Sequence, residues 1–169
     1  MSAACVLLLV GAEVSRLGMA WLTFDAASRR AVAGETDAAI QGLQHAIALD
    51  PGKSLYHHGL GSVYARAFDA SRDKEMFRLA HAEFKEAIEL NPLDSRLLGL
   101  LGQLYVSAAQ APSLSGGLDE QRKSWIRAAL RVYERAVRLA PFSAPYRYEQ
   151  ARLHWMLGEK AAAEQQAKE

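Results

Sequence analysis

The sequence predicts an all-α fold, a solenoid of stacked antiparallel helix-turn-helix repeats, and a repeated residue pattern is the main reason. The pattern is two alanines with a bulky residue between them and a proline five residues after the second alanine. It occurs at Ala39–Pro51, Ala80–Pro92 and Ala129–Pro141. Each copy has the spacing of an amphipathic helix that ends at its proline. Units that repeat without a core of their own must stack on one another, as in a solenoid.

A second pattern, Leu-Gly-x-x-Tyr, precedes two of these helices. Its residues are Leu60, Gly61, Tyr64, Leu101, Gly102 and Tyr105. Glycine inside a helix destabilises it by about 1 kcal/mol relative to alanine, so two glycines at equivalent positions require a structural reason. We expect Gly61 and Gly102 to let their helices approach the alanine faces of the partner helices, at Ala80 and Ala129. The leucine and tyrosine side chains then fill the neighbouring grooves.

The composition indicates a folded domain and excludes several classes of function. Half of the 169 residues are hydrophobic and 23% are charged, which is typical of a globular chain with a substantial core. The formal net charge is +1 with acids and bases interleaved, unlike the one-sided basic surface of a nucleic-acid-binding protein. A single cysteine, Cys5, excludes an internal disulfide and a multi-cysteine metal site, and we interpret it as a buried apolar side chain.

Residues 1–34 allow two interpretations. The apolar stretch Ala3–Ala12 is too short to span a bilayer, and extending it to Phe24 brings in Glu13 and Arg16. Each of these charges costs roughly 2.5–3.5 kcal/mol near the centre of a membrane helix. The apolar spacing beyond residue 9 predicts one long helix from about residue 4 to 33, ended by Gly34. Either its first turns pack on the next helices, or they are the remaining part of a membrane helix whose earlier part is missing.

The closing prolines set the expected repeat boundaries within one folded domain. After the long helix of residues 1–34, which runs into the first repeat, the units are 20–53, 54–94, 95–143 and a partial repeat or capping helices at 144–169. We expect a polar turn at residues 69–74 and a break in helical structure at Ala111–Gly117. Ser54 and Asp119 are the predicted N-caps of the helices that follow them.

These motifs resemble the tetratricopeptide repeat (TPR), a helical hairpin of about 34 residues. The first helix of this repeat contains Leu-Gly and a Tyr, and the second contains Ala-x3-Phe-x2-Ala and ends at a Pro. Repeats 2 and 3 match throughout, repeat 1 matches in its second helix and at Gly34, and the fourth matches through Ala151, Gly158 and Ala163. The tryptophan of the family's first helix is absent, and Thr23, His57, Leu98 and Arg147 occupy its place.

The closing prolines are 41 and 49 residues apart, so the second and third repeats carry insertions of 7 and 15 residues relative to the family. We expect longer helices in both repeats, with part of the larger insertion in the Ala111–Gly117 loop. The resemblance implies a right-handed α-solenoid that acts as a non-enzymatic scaffold and binds a peptide or partner protein on its concave surface.

A narrower similarity supports an alternative function. An apolar helix that runs into elongated repeats is similar to the region after the last membrane helix of bacterial O-antigen-ligase-like membrane proteins. The chain would then be the soluble C-terminal TPR region of a membrane-bound glycan polymerase, which it organises or regulates, and its repeats would lie outside the bilayer. A chain complete as given would be cytoplasmic.

The sequence contains no recognisable catalytic, metal or cofactor site. His57 and His58 are adjacent, so a helix directs them about 100° apart, unlike the i,i+4 pair of a helical metal site. We interpret all five histidines as surface or groove residues, the others being His45, His81 and His154. Glu83 and Glu86 are expected on a solvated helix face. No glycine-rich phosphate loop is present.

The resemblance also implies where a partner binds, because first helices line the concave side of the family's arrays. The outward first-helix positions, and therefore the predicted partner-binding residues, are Leu55, His58, Ser62, Ala65, Arg96, Gln103, Val106, Tyr148, Arg152 and Trp155. The family's clamp for a C-terminal carboxylate uses lysine and asparagine at positions occupied here by His58 with Ser62 and by Gly99 with Gln103. This departure disfavours binding of carboxylate tails.

Overall fold

The computed structural model describes the backbone of residues 3–115 and 119–168 and the side chains of residues 10–114 and 119–164. Within these ranges the chain forms nine α-helices and no β-strand. The helices are α1 (Ala3–Val32), α2 (Thr36–Leu49), α3 (Ser54–Ser71), α4 (Lys74–Leu90), α5 (Ser95–Gln110), α6 (Pro112–Ser115), α7 (Asp119–Leu139), α8 (Ala144–Met156) and α9 (Lys160–Lys168).

The helices pack as four successive hairpins. Within the hairpins, α1 packs on α2, α3 on α4, α5 on α7, and α8 on α9. Between successive hairpins, α2 packs on α3, α4 on α5, and α7 on α8. The predicted helical solenoid is therefore confirmed. The second and third hairpins have the longer helices that their insertions predict, because α3, α4 and α7 have 18, 17 and 21 residues against 14 in α2.

The repeated alanine pattern forms the interior of the hairpins. The six alanines are fully buried, with 0% of their surface exposed. The bulky residues between them, Leu43, Phe84 and Tyr133, are 1–2% exposed. One continuous hydrophobic cluster runs from Ala27 to Ala136 and joins the first three hairpins. Each hairpin thus completes the core of its neighbours, as expected for repeats without individual cores.

The two Leu-Gly-x-x-Tyr glycines allow the close approach that the sequence predicts, although the contacted residue differs. A Cβ atom on Gly61 would lie 2.8 Å from Cδ1 of Phe84, and one on Gly102 would lie 2.6 Å from Cε2 of Tyr133. The side chain nearest to each glycine is thus the bulky residue of the pattern and not its alanine. The bulky residue of the alanine pattern projects from the same helix face, and its ring fills the space above the glycine.

Two helix ends depend on glycine in a left-handed conformation. Gly34 has φ +84° after α1, and the Glu35 amide donates to the Arg30 carbonyl at 3.0 Å. Gly158 has φ +81° after α8, and the next amide donates to the His154 carbonyl at 2.9 Å. Both arrangements are Schellman motifs, which favour glycine because it has no Cβ. The turn predicted at Gly34 is confirmed.

The predicted N-cap at Ser54 is wrong. Ser54 is the first residue of α3, and its hydroxyl donates to the Ala87 carbonyl near the end of α4 at 2.9 Å. Two aspartates cap helices instead, since Asp73 accepts from the Glu75 amide at 2.9 Å and Asp94 accepts from the Arg96 amide at 3.0 Å. Asp119 lies in the first turn of α7, and the residues before it lie outside the described ranges.

The connections within the second and third hairpins differ from the prediction. The turn expected at residues 69–74 comprises only Arg72 and Asp73, because α3 continues to Ser71. Arg72 has φ 56°, in the left-handed region. The break expected at Ala111–Gly117 contains α6, whose Ser113 hydroxyl donates to the Arg72 carbonyl at 2.6 Å. This bond ties the long connection of the third hairpin to the turn of the second.

The first half of α1 extends beyond the packed hairpins. The side chains of residues 10–19 are all exposed, and Val14 is 64% exposed, whereas Ala20 and Ala27 are buried. The side chains of the first turns, residues 3–9, lie outside the described residues, so the two interpretations of this segment stay predictions. α2 is about 21 Å long and ends near Arg16, which donates to the Leu49 carbonyl, so it covers only the second half of α1.

Within the described residues, no helix combines the length and the apolar content needed to cross a bilayer. The side chain of Cys5, which we expected to be buried, lies outside the described residues.

Candidate partner-binding groove

The first helices α3, α5 and α8 form a groove along one side of the solenoid. Between α5 and α8 it widens into a pocket of about 390 Å³, and between α3 and α5 into a pocket of about 190 Å³. Leu100 and Gln103 of α5 line both pockets, so the two adjoin along this helix. We call this surface the first-helix groove.

Six of the ten predicted partner-binding residues line the first-helix groove. They are His58, Ser62, Ala65, Arg96, Gln103 and Tyr148. Their spacing along α3 and α5 follows one face of each helix, which is why sequence periodicity could find them. Leu55 and Trp155 are exposed but lie outside both pockets, and Trp155 is 68% exposed. Arg152 is half-buried and pairs with Glu149, which lines the larger pocket.

Val106 is the one predicted partner-binding residue that the structure buries. It is 9% exposed and belongs to a hydrophobic cluster with Ile126 and Leu130 of α7 and Leu153 of α8. The insertion explains the error, because the long α7 begins further from the closing proline and its first turns cover the second half of α5.

The sequence did not reveal two tyrosine contacts that shape the larger pocket. A Cβ atom on Gly99 would lie 2.9 Å from Cε1 of Tyr146, so only glycine lets α8 approach α5 this closely. The Tyr133 and Tyr146 rings lie 6.2 Å apart, and the Tyr133 hydroxyl donates to the Gly99 carbonyl at 3.3 Å. Burial raises the pKa of Tyr133, so this hydroxyl stays protonated as a donor. Gly99 was the sequence feature that could have indicated this contact, since a helical glycine at a groove position indicates a closely packed neighbouring side chain.

Three of the four charged side chains that line the groove, Asp69, Arg96 and Glu149, form ion pairs with neighbours, and the fourth, Arg66, donates to the Ala31 carbonyl. Arg96 contacts Asp94 at 2.8 Å, and Arg152 contacts Glu149 at 2.5 Å. The Arg96 guanidinium lowers the pKa of Asp94 through a hydrogen bond. Burial, together with the charge of Arg96, lowers the pKa of His58, so its imidazole is neutral at pH 7. The groove therefore offers hydrogen bonds and aromatic surface, with little net charge.

Several solved structures have the same architecture. The first TPR domain of Spaghetti (RPAP3), solved with an HSP90 peptide, is 17% identical with a TM-score of 0.65, over 83% of this chain and 94% of that chain. A TPR protein of Thermus thermophilus is 19% identical, with a TM-score of 0.67 over 88% and 71% of the two chains. MamA is 17% identical, with a TM-score of 0.68 over 88% and 74%.

The chain has the tetratricopeptide-repeat fold. Its hairpins form a right-handed α-solenoid with elongated second and third units, as the sequence predicts. At these identities the similarity establishes the fold alone. No protein-family model matches the sequence, and comparison with curated proteins finds no related sequence.

The positions that correspond to the carboxylate clamp of the TPR family lie in the groove but have different chemistry. His58, Gly99 and Gln103 line the larger pocket, and Ser62 lines the smaller one. Clamps of the family place a lysine among these positions, whereas here a neutral imidazole, a hydroxyl and an amide are present. Such groups can bind peptide backbone amides, but they do not supply a cation for a free carboxylate.

His57, which occupies the TPR tryptophan position, is a buried structural residue, so its interpretation as a surface or groove residue was wrong. It is 8% exposed, with Nδ1 at 2.8 Å from the Glu83 carboxylate and Nε2 at 3.1 Å from the Pro51 carbonyl. Both partners are acceptors, so the fully protonated imidazolium satisfies both. The hydrogen bond to Glu83 raises the pKa of His57, and Glu83 is half-buried, contrary to the solvated face expected for it.

The remaining histidines differ in environment. His45 is exposed, as expected, whereas His81 is half-buried and lies 2.9 Å from the Tyr105 hydroxyl. His154 is half-buried and contacts the Glu159 carboxylate at 2.7 Å. No group of three or more metal-ligating side chains occurs among the residues that the structure describes.

Proposed function

We propose that this TPR chain is a non-enzymatic scaffold module that binds an extended peptide segment of a partner protein in the first-helix groove. The observation that carries the proposal is that the two pockets adjoin along α5 and share Leu100 and Gln103. From Arg96 to Ser107 the groove follows about 16 Å of helix, enough for about five residues of an extended peptide. A peptide of this length can engage several pockets at once, which is how extended segments gain specificity.

The lining residues indicate the chemistry of the peptide. Ser62 and Gln103 can hydrogen-bond to its backbone, and Tyr148, which is 67% exposed, offers a ring against which a side chain can pack. The structure of the RPAP3 TPR domain with an HSP90 peptide supports a peptide as the class of ligand. Because this chain lacks the lysine of the family's clamp, we propose an internal segment of the partner, not its carboxyl end.

Selection from a library of random peptides tests this proposal. The dissociation constants of the selected peptides are then measured with the natural chain and with Gln103→Trp, which fills the point where the pockets meet. Gln41→Trp is the matched control, because Gln41 is an exposed glutamine on α2 that lines neither pocket. We expect at least tenfold weaker binding to Gln103→Trp and unchanged binding to Gln41→Trp. Equal affinities for both variants would contradict the proposal.

A second experiment separates an internal segment from a carboxylate tail. Each selected peptide is prepared with a free carboxyl terminus and with an amidated one. We expect the two forms to bind within twofold of each other. A tenfold preference for the free acid would show that the groove captures carboxyl termini despite the absence of the clamp lysine.

A second candidate function is membrane attachment through α1, as in the soluble TPR region of a membrane-bound glycan polymerase. The observation that favours it is the exposure of several apolar side chains in the projecting part of α1. These are Val10, Val14, Leu17, Met19 and Leu22.

Flotation of the full chain with phospholipid vesicles tests this function. Val14→Glu should reduce flotation, whereas Val32→Glu, at the other end of α1 and 86% exposed, should not. No flotation of the natural chain would reject this candidate.

A further inference from the structure

A second groove lies on the opposite side of α5. It is a pocket of about 310 Å³ between the second helices α4 and α7, and its floor includes Leu98, Leu101 and Tyr105 of α5. These residues project about 180° from Leu100 and Gln103, so the pocket faces away from the first-helix groove. We call it the second-helix groove. Its volume lies at the lower end of the range for ligand sites, about 300–1,000 Å³.

The rim of this groove carries excess positive charge. Lys85, Arg131 and Arg135 line it together with one acidic residue, Glu89. Among the described residues, Lys85 and Arg131 have no carboxylate within salt-bridge distance, and Arg135 donates to the Pro92 carbonyl at 3.3 Å. The rim therefore has three cations against one anion. This differs from the first-helix groove, whose lining has two cations, Arg66 and Arg96, against two anions, Asp69 and Glu149.

The interior of the groove is apolar. Ile88 of α4 and Val132 of α7 form its walls, and Leu98 and Leu101 form its floor. One end is closed by Tyr105, whose hydroxyl lies 2.9 Å from His81 Nε2 and whose ring stacks on Trp125 at 5.8 Å. A ligand that fits this site must present an apolar side chain to the interior and negative charges to the rim.

We propose that the second-helix groove binds an acidic amphipathic helix of a partner protein. The apolar stripe of such a helix, with anchors spaced at i, i+3 or i+4 and i+7, would enter the space between α4 and α7. Its acidic residues would then face Lys85, Arg131 and Arg135, and opposite charges across an interface favour association and fix orientation. A recess ringed by cations suits a helix with projecting side chains better than the flat surface of a bilayer.

Synthetic helical peptides test this inference. The probe is a 15-residue acetylated peptide with leucine at the anchor positions and glutamate elsewhere, and its counterpart carries lysine in place of glutamate. Fluorescence anisotropy measures binding to the full chain in 50 and 200 mM salt. We expect the acidic peptide to bind at least tenfold more tightly than the basic one, and to weaken as salt increases. Equal binding of both peptides, or no dependence on salt, would overturn the inference.

Matched charge reversals locate the site. Arg131→Glu should weaken binding of the acidic peptide at least tenfold, whereas Arg122→Glu, which makes the same change at an exposed residue of α7 outside the groove, should weaken it less than twofold. Both residues are exposed, and thermal melting checks that both variants fold. Equal losses in the two variants would show general charge attraction and overturn the inference.

Two further measurements exclude other occupants. Gln103→Trp, which blocks the first-helix groove, should leave binding of the acidic peptide unchanged, and a loss would place the peptide in that groove instead. Vesicles of phosphatidylglycerol should bind the natural chain and Arg131→Glu equally. Vesicle binding that depends on Arg131, without binding of the acidic peptide, would assign the surface to anionic lipid and overturn the inference.

Discussion

Gly102 determines how closely α5 approaches α7, because the Tyr133 ring occupies the space that a side chain would need. The same relationship joins Gly61 to Phe84 and Gly99 to Tyr146. In each pair a glycine on a first helix faces an aromatic ring on a neighbouring helix. These contacts lie beneath the first-helix groove, so the shape of the binding surface depends on them.

Gly102→Ala should therefore lower the free energy of unfolding by about 1–3 kcal/mol, as overpacking does in well-packed interiors. The added Cβ would lie 2.6 Å from Cε2 of Tyr133, and this ring is buried and cannot move into solvent. Chemical denaturation measures the change. The control is Gly18→Ala on α1, where a Cβ meets nothing within 4 Å and alanine should stabilise the helix by up to about 1 kcal/mol. A shift of the same sign in both variants would disprove close packing at Gly102.

The His57–Glu83 contact links α3 to α4 and makes stability depend on pH. The hydrogen bond to Glu83 raises the pKa of His57 above its ordinary value, while desolvation opposes the shift and Glu86 adds a smaller favourable charge. A raised pKa in the folded state stabilises the protein fully below the unfolded pKa of about 6.5. This stabilisation is lost as the pH rises through the folded pKa. The pKa values of His58 and His81 are lowered, so these groups titrate below that window.

The free energy of unfolding should therefore fall between pH 6.5 and pH 9, and His57→Gln should remove most of this fall. His45→Gln is the control, because His45 is exposed and the substitution should leave the fall unchanged. Chemical denaturation at four pH values in this range measures the effect. The same pH dependence in the natural chain and in His57→Gln would show that the imidazolium is not stabilised by Glu83.

At the scale of helices, a side chain caps the N-terminus of α5, whereas no side chain caps that of α8. The Asp94 carboxylate accepts from the Arg96 amide at 3.0 Å, whereas Ser143 at the N-cap of α8 makes no side-chain capping bond. Asp94→Ala should destabilise the protein by about 1 kcal/mol, and Ser143→Ala should have little effect. Thermal denaturation compares the stabilities of the two alanine variants. A third variant, Asp94→Asn, keeps the capping group without the charge and so isolates the contribution of the ion pair with Arg96. An equal effect of the two alanine variants would disprove the cap.

Helical spacing predicted the longer helices, because the alanine pattern and the proline distances report local periodicity, but it did not predict α6. It did not predict the contacts that depend on how neighbouring helices meet. The sequence predicts Ser54 as an N-cap, yet its hydroxyl donates a hydrogen bond to a carbonyl near the end of α4. Val106 has the spacing of a groove residue, yet the extended α7 covers it. The sequence predicts His57 as a surface or groove residue, yet the packing of α4 on α3 places Glu83 beside it.

At the scale of the whole molecule, α5 separates two grooves of different character. One face of α5 contributes Leu100 and Gln103 to the nearly neutral first-helix groove, and the other contributes Leu98 and Leu101 to the basic second-helix groove. The sequence predicted the first groove through the TPR resemblance, since first-helix positions follow from the repeat register. The second groove could not be predicted, because Lys85 lies on α4 and Arg131 and Arg135 lie on α7, and helical spacing does not report how two helices lie beside each other.

Chemical-shift mapping of the full chain with a peptide selected from a random library tests the proposed function most directly. We expect perturbations to concentrate at Ala65, Leu100, Gln103 and Tyr148, along the first-helix groove. Perturbations confined to the exposed part of α1, or spread over the solenoid with no preference for this groove, would contradict it.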